Sequence, residues 1–194
     1  HLIAVDHADG LKTRQWVPSS ANNKIRFSVI QRHVRTQSIT GKGFTPHFKI
    51  GCLVSCGMDN GNFIFEKESL AEHIAVMNVL YRDYFRVDEI RFRLLCRDGY
   101  DDPIRLAAQL KDFVQQKVTD TVIDIVDHPE KPNQYYKGIQ YKIDITIKGR
   151  QYEIGDGGFV DWTQQLLQNK KERMLSTGIG FEFMYRILQG DIKA

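Results

Sequence analysis

Two cysteines and a histidine are the first group of residues whose types could do chemistry. Cys52 and Cys56 are separated by three residues on a segment patterned like a β-strand, and His47 precedes them. Thiolate and imidazole groups are the usual ligands of zinc. This spacing is also typical of small thiols buried in a strand, and the third cysteine, Cys96, has no partner by spacing. The pattern favours buried thiols, so we predict no metal site.

Four other positions carry residue types that recur in ligand sites, and each also has an ordinary structural explanation. Arg35 ends a strand-like segment and Arg186 lies near the chain end, where solvated arginines are common. The pair Tyr135-Tyr136 is compatible with aromatic side chains on the two sides of a strand. Gly157-Gly158 is compatible with a simple turn. The basic run Lys170–Arg173 favours a solvated helix end, with an RNA contact as the alternative.

Composition and missing motifs exclude several classes of protein. The 194 residues are 42% hydrophobic and 26% charged, which is typical of a globular domain with a real core. A net charge of +3 does not by itself indicate nucleic-acid binding. No GxGxxG, P-loop or Ser/His/Asp pattern is present, which argues against a Rossmann site, a P-loop site and a hydrolase. Without a membrane-length apolar run or a signal segment, and with three cysteines, we expect a cytoplasmic protein. Because the chain starts at His1, we expect a fragment.

Alternating and helical patterns predict the elements that position these residues. Residues 24–35 and 48–56 read as two strands joined by a glycine-containing loop. Ser69 and Glu72 have the spacing of a capping box, with an apolar helix face at Leu70, Ile74, Met77, Tyr81 and Tyr84. Asp102 and Pro103 predict the start of a second helix.

The second half of the sequence has the best strand pattern. Residues 89–96 and 121–126 read as strands, and residues 141–147 alternate strictly between apolar and polar side chains. A turn at 148–151 predicts a hairpin, and the run Asp156-Gly157-Gly158 predicts a break in its second strand. Residues 162–167 read as a helix, and residues 177–183 as a strand leading into a last helical stretch. The order predicts an α/β protein of the α+β type, with a mainly antiparallel sheet flanked by helices.

The most informative stretch runs from Tyr135 to Ile143 and reads YYKGIQYKI. It resembles the YYTG strand entry of class II aminoacyl-tRNA synthetases of the histidyl type, and residues 157–161 resemble that family's GGRYD motif. Thr177 to Arg186 is similar to motif 3, and Arg35-Thr36-Gln37 followed by a loop and Phe48 is similar to motif 2. The resemblance predicts one class II synthetase-like core domain over residues 1–194.

This resemblance implies an activity and a set of site residues. The family binds ATP with Mg²⁺ and an amino acid, and it forms an aminoacyl-adenylate. By resemblance, Arg35 and Arg186 are the catalytic, phosphate-binding arginines, and Gln37 and Phe48 complete the ATP site. The residues implied for the amino acid are Tyr135, Tyr136, Gly138, Gly157 and Gly158. An amino acid is the expected partner, and tRNA, a second copy and a partner protein stay open.

Several departures from the motifs favour an alternative. Motif 2's glutamate is Gln37, the GGRYD arginine is Phe159, and a motif 3 glycine is Phe183. Lys131 replaces the arginine expected before the paired tyrosines. Motif 1 and an anticodon-binding domain are missing from the sequence. The alternative is a catalytically degenerate regulatory or sensor domain, similar to the histidyl-synthetase-like subunit of ATP phosphoribosyltransferase, which binds an amino acid and acts through a partner.

Overall fold

The protein forms one seven-stranded sheet with helices packed on it. The computed structural model describes residues 2–13, 24–34, 45–129 and 135–192. The strand order is β1-β2-β7-β6-β5-β3-β4. Every neighbouring pair is antiparallel except β3 and β4, which confirms the predicted fold class. The strands are β1 Ile25–Val34, β2 His47–Met58, β3 Glu89–Cys96, β4 Val122–Val126, β5 Lys137–Ile147, β6 Arg150–Val160 and β7 Glu172–Ile179.

The helices pack on both faces of this sheet. They are α1 Leu2–Lys12, α2 Ile64–Asn78 with a π-helical extension Val79–Tyr84, α3 Pro103–Lys117, α4 Trp162–Leu167 and α5 Phe181–Gln189. Helices α2 and α3 cover one face and form the main core with β3, β5 and β7. Helices α1 and α4 contact each other and belong to a smaller cluster around Val54 and Met174 on the other face. In the described residues no helix is long and apolar enough to cross a membrane.

The side chains of strand β5 alternate between the two faces of the sheet, because successive side chains of a strand point to opposite sides. Ile139, Tyr141 and Ile143 lie in the main core. Gln140 and Lys142 lie on the other face, where they bond to polar residues of neighbouring strands. The predicted alternation is therefore confirmed, and we call this second side the open face.

Local signals placed several boundaries correctly. Strand β3 has the predicted bounds. The side chain of Asp102 caps α3 by accepting a hydrogen bond from the backbone N–H of Arg105 at 2.9 Å. Lys148 and Gly149 have positive φ angles of 51° and 72°, as the two central residues of a tight hairpin turn require.

The predicted capping box at Ser69 is wrong. Helix α2 starts at Ile64 after Phe63, which has left-handed backbone angles, so Ser69 lies inside the helix and is fully buried. Four predicted face residues are buried, but Tyr84 is 83% exposed. The π-helical extension adds a residue to the last turn, which rotates Tyr84 away from the core face.

Three further expectations are corrected. Strand β6 runs without a break through residues 156–158, because these residues pair with β5 on one side and with β7 on the other. Strand β7 starts at Glu172 and ends at Ile179, so residues 181–183 are helical rather than extended. The weakly patterned opening contains α1, whose Ala4 and Ala8 are buried.

Candidate functional site

A continuous row of polar side chains crosses the open face over β3, β5 and β6. Its members are joined by hydrogen bonds and ion pairs, and their charges alternate in sign. Four of them are cations or amides, and three are carboxylates. In order along the row they are Arg97, Gln140, Asp156, Lys142, Glu153, Arg93 and Asp144.

One end of the row is buried and rigidly oriented. Arg97 is 8% exposed and Gln140 is 7% exposed. The Nε and Nη2 atoms of Arg97 both donate to Oε1 of Gln140, at 3.0 Å and 2.7 Å. Because an arginine has only donors, the amide oxygen of Gln140 must face it. The amide Nε2 then donates to Oδ2 of Asp156 at 3.0 Å.

The other end is a chain of ion pairs. Lys142 Nζ lies 2.9 Å from Glu153 Oε1 and 3.4 Å from Asp156 Oδ2. Burial opposes the charge on Lys142, but its bond to Glu153 and the two carboxylate charges raise its pKa. Burial likewise opposes ionisation of Glu153, while Lys142 and Arg93 lower its pKa. Both residues are therefore charged at neutral pH.

A cavity of about 250 Å³ opens beside this row, where β2 begins and β7 runs into α5. Phe48 and Lys49 of β2 line one side, and Phe183 and Arg186 of α5 line another. The glycine-containing end of β7, Gly178–Gly180, lines it with backbone atoms. The remaining lining residues include Lys142, Glu153, Asp156 and Glu182.

Contacts of β2 and α5 with each other and with strands β1 and β6 surround this cavity. The Oε2 atom of Glu182 accepts a hydrogen bond from the backbone N–H of Lys49 at 3.1 Å. Phe183 packs edge-on against Tyr152 with ring centroids 6.4 Å apart. Phe48 stacks on His33 of the edge strand, with centroids 6.1 Å apart. These contacts fix the two aromatic side chains, Phe48 and Phe183, that line the cavity.

Two of the site residues predicted from sequence thus lie together. Phe48 and Arg186 come from distant parts of the sequence and line the same cavity. Arg35 and Gln37 lie outside the described residues. Their roles stay predictions.

The residues predicted for the amino acid lie further along the open face. Tyr136 is 7% exposed, belongs to the cluster with Val160 and Met174, and fills the space above Gly158. Tyr135 is 41% exposed and packs on Tyr136, with ring centroids 4.5 Å apart, and on Trp162. The electrostatic environment of Tyr136 includes Asp156, and burial and that charge raise its pKa. Because Gly158 pairs with Gln140 on β5, Tyr136 lies near the buried end of the polar row.

Two of the predicted glycines contact aromatic rings of the chain on the side of the core. A Cβ atom at Gly157 would lie 2.7 Å from Ser176 O and from the ring of Tyr141. Gly138 has a φ of +66°, and a Cβ there would overlap the ring of Tyr100. These two glycines are needed for close packing of the protein itself.

Sequence reasoning missed Arg97, Gln140, Lys142 and Asp156 as site residues. A signal was present for two of them, because Gln140 and Lys142 lie on the polar side of the alternating strand. Arg97 and Asp156 carried no comparable signal, since only the pairing of β3, β5 and β6 brings them to the same place.

This sheet, with its helix-covered back and its open-face site, has the fold of the class II aminoacyl-tRNA synthetases. The apo histidyl-tRNA synthetase of S. aureus superposes with a TM-score of 0.64 at 11% identity, over 96% of this chain and 50% of that chain. A threonyl-tRNA synthetase structure from Aeropyrum pernix gives 0.65 at 11% identity, over 97% and 46%. The RNA binding domain of threonyl-tRNA synthetase from Cryptosporidium parvum gives 0.64 at 12% identity, over 95% and 48%.

The resemblance seen in the sequence is confirmed at the level of fold. At these identities the likeness shows the fold alone. The chain spans about half the length of the solved structures that it matches. No family model matches the sequence, and no curated protein matches it in sequence.

Proposed function

We propose that this chain is an ATP- and amino-acid-binding core of the class II synthetase type, which forms an aminoacyl-adenylate. One observation carries the proposal. Phe48 and Arg186, predicted independently from motifs 2 and 3, line one cavity beside the backbone of Gly178 and Gly180. An aromatic ring, a guanidinium and exposed backbone are the groups that bind a purine and its phosphates.

The reaction joins two anions, which explains the need for fixed cations. A carboxylate oxygen of the amino acid attacks the α-phosphorus, and pyrophosphate leaves with the electron pair of the broken P–O bond. Negative charge grows on the phosphate oxygens in the transition state. Arg186 stabilises this charge as a planar, permanently charged donor. Arg35 would act in the same way from the motif 2 side, and Phe48 would stack on the adenine.

Mg²⁺ fits the donor set of this cavity. Glu182 lines the cavity and supplies a carboxylate oxygen of the kind that the ion prefers. In the described residues no group of three or more His, Cys, Asp or Glu side chains could hold a metal. Magnesium commonly binds through one or two carboxylates and the substrate phosphates, so Glu182 would hold it together with the nucleotide and bring charge neutralisation to the phosphates.

A second function, an amino-acid sensor without adenylation, is favoured by two phenylalanines. Phe159 stands where the resembling motif has an arginine, and it is buried in the main core at 3% exposure. No cation from that position can therefore reach a ligand on the open face. The side chain of Phe183 lines the cavity in which the nucleotide would lie. This ring reduces the space that the nucleotide could occupy. Such a protein would bind the amino acid and act through a partner protein.

Calorimetry separates the two functions. The chain is titrated with Mg·ATP and then with each amino acid, histidine first. Saturable ATP binding, followed by amino-acid-dependent exchange of pyrophosphate into ATP, supports the adenylating core. Amino-acid binding without ATP binding supports the sensor. If the Phe183→Gly variant then gains ATP binding, the ring at position 183 is what excludes the nucleotide. Absence of both kinds of binding would reject both functions for this chain.

The other partners belong to the same proposal. A tRNA would be the acceptor of the activated amino acid, and a second copy or another protein could complete the assembly. Cytoplasmic localisation fits this role. A band-shift titration with total tRNA at increasing salt tests the first of these, because phosphate contacts weaken as salt rises.

A further inference from the structure

An apolar groove lies beside the edge strand β1, on the side of the sheet that α2 and α3 cover. Its volume is about 510 Å³, which falls within the range of small-ligand pockets. Strands β1 and β2, the C-terminal part of α2 with its π-helical extension, and the start of α5 contribute to its lining. The lining side chains are mainly aliphatic and aromatic, and they include Ile30, Leu53, Val76, Leu80 and Phe181.

This groove exposes apolar side chains to solvent. Ile30 is 66% exposed and Val76 is 49% exposed, and the two residues face each other across the groove from β1 and α2. Val79, at the start of the π-helical extension, is 59% exposed. Leu53 and Leu80 are only partly buried where they pack on the main core. Contiguous exposed apolar surface of this kind marks a binding site.

Two cations lie at one end of the groove. Strands β1 and β2 pair in a continuous antiparallel register. In this register Ile30 lies opposite Gly51, and Arg32 lies opposite Lys49. Gly51 faces the groove, because the ring of Phe181 fills the space above it. Side chains two residues apart on a strand share a face, so both cations lie on the groove side, about 7 Å along the strands.

The charges of these two cations are not neutralised by the chain. Among the described residues neither Arg32 nor Lys49 forms an ion pair, and the nearby carboxylate of Glu182 accepts from the backbone N–H of Lys49. Like charges directly opposite each other on two strands repel. At the other end of the groove, by contrast, Glu72 accepts two hydrogen bonds of 2.8 Å from Arg26. Charge complementarity therefore requires an anionic group at the end of Arg32 and Lys49.

We infer that this groove binds a fatty-acid carboxylate, with the acyl chain between β1 and α2 and the head group at Arg32 and Lys49. The chain covers Ile30 and Val76, which removes apolar area from water. The carboxylate accepts charge-assisted hydrogen bonds from the two cations. The site is separate from the cavity of Phe48 and does not depend on the proposed function, because successive side chains of β2 point to opposite faces.

Titration with dodecanoate, below the concentration at which it forms micelles, tests the apolar part of the site by calorimetry. The unmodified chain should bind it saturably, with one site. Ile30→Gln and Val76→Gln should each weaken this binding by about 10-fold, because each places an amide against the acyl chain. Ile104→Gln is the matched control, because Ile104 is also 49% exposed but lies on α3, outside the groove. Its affinity should stay within about 2-fold of the unmodified chain.

The head group is tested with a second pair of variants and a second amphiphile. Arg32→Gln should weaken dodecanoate binding by about 10-fold. Arg150→Gln, at an exposed arginine that starts β6, should keep the affinity of the unmodified chain. Dodecyltrimethylammonium has the same chain with a cationic head, so it should bind at least about 10-fold more weakly than dodecanoate. A thermal melt checks the folding of every variant. Ile30 and Val76 lie on different elements, so either variant decides if the other fails to fold.

Several results would overturn the assignment. These are no saturable binding of dodecanoate, an equal loss in Ile104→Gln, and equal affinities for the two amphiphiles. Cosedimentation with vesicles of phosphatidylcholine and phosphatidylserine in equal parts, without binding of monomeric dodecanoate, would assign this face to a membrane surface instead. A dimer in sedimentation equilibrium that Val76→Gln dissociates would assign it to a second copy of the chain.

Discussion

His73 of α2 and Thr177 of β7 lie 2.6 Å apart, between Nδ1 and Oγ1, in the interior of the protein. The other ring nitrogen, Nε2, lies 3.0 Å from the hydroxyl of Ser55, and Thr177 also bonds to Tyr141. Burial lowers the pKa of His73 to about 4; the charge of Glu72 opposes this shift, and the cations Lys24 and Arg26 add to it. The neutral imidazole thus joins helix and sheet across the core.

Because His73 is buried in its neutral form, we expect the folded protein to lose stability in acid. Its pKa is lower in the folded protein than in the unfolded chain, so the unfolded state binds more protons as pH falls. Stability should be full above pH about 6.5 and decline between pH 6.5 and 4, by roughly 3 kcal/mol in total. Urea unfolding at pH 7 and 4.5 measures the decline. Burial raises the pKa of Glu72, but Arg26 and Lys24 lower it to about 2. The stability that Glu72 contributes is therefore lost mainly at a pH below this window.

The control for this prediction is His128, which is 93% exposed. His128→Gln should keep the pH dependence of the unmodified protein. His73→Gln should be less stable at pH 7, because Ser55 and Thr177 lose their partner, but its stability should change less between pH 7 and 4.5. An unchanged pH slope in His73→Gln would contradict the assignment.

Phe48→Ala should weaken Mg·ATP binding by about 10-fold, because base stacking on an aromatic side chain contributes roughly 1–3 kcal/mol. Phe48 is only partly buried, so the melting temperature should change little. Tyr84→Ala removes an exposed aromatic ring far from the cavity and should leave ATP binding intact. Calorimetric titration measures both variants, and equal affinities for them would show that Phe48 has no part in nucleotide binding.

Arg35→Ala should abolish ATP binding and leave the melting temperature nearly unchanged, as a motif 2 arginine implies. The matched control is Arg32→Ala on β1, an exposed arginine three residues earlier, which should bind ATP as the unmodified chain does. Unfolding of the Arg35→Ala protein in a thermal melt would instead show a structural role.

Gly157→Ala should destabilise the fold by about 1–3 kcal/mol. The added methyl group would lie 2.7 Å from a backbone oxygen, Ser176 O, which cannot move without disturbing the β6–β7 pairing. Gly178→Ala is the control on the neighbouring strand, because the nearest atoms to its added carbon are 3.8 Å away. Denaturant unfolding should place that variant within about 0.5 kcal/mol of the unmodified protein. Similar losses of stability in both variants would show that any alanine in place of a strand glycine is destabilising. The contact with Ser176 O would then not be the cause.

Local patterns were sufficient wherever the deciding interaction is local. The alternation along β5 predicted both the strand and its two faces, because side-chain direction in a strand depends only on sequence parity. The Asp102 cap was predictable because its partner lies three residues away. The spacing of Ser69 and Glu72 matches a capping box, but the helix starts five residues before Ser69, at Ile64, where the left-handed backbone of Phe63 precedes it.

The candidate site also has features that the sequence predicts and features that depend on the tertiary structure. The order and types of Phe48, Arg186 and the glycines were enough to predict the class of fold, since each motif is a short run of sequence. Only the tertiary structure brings Phe48 and Arg186 to one cavity and places Asp156 beside them, because β2, β6 and α5 are distant from one another in the chain. The bond from Arg97 to Gln140, and so the direction in which Asp156 points, exists only after β3, β5 and β6 have paired.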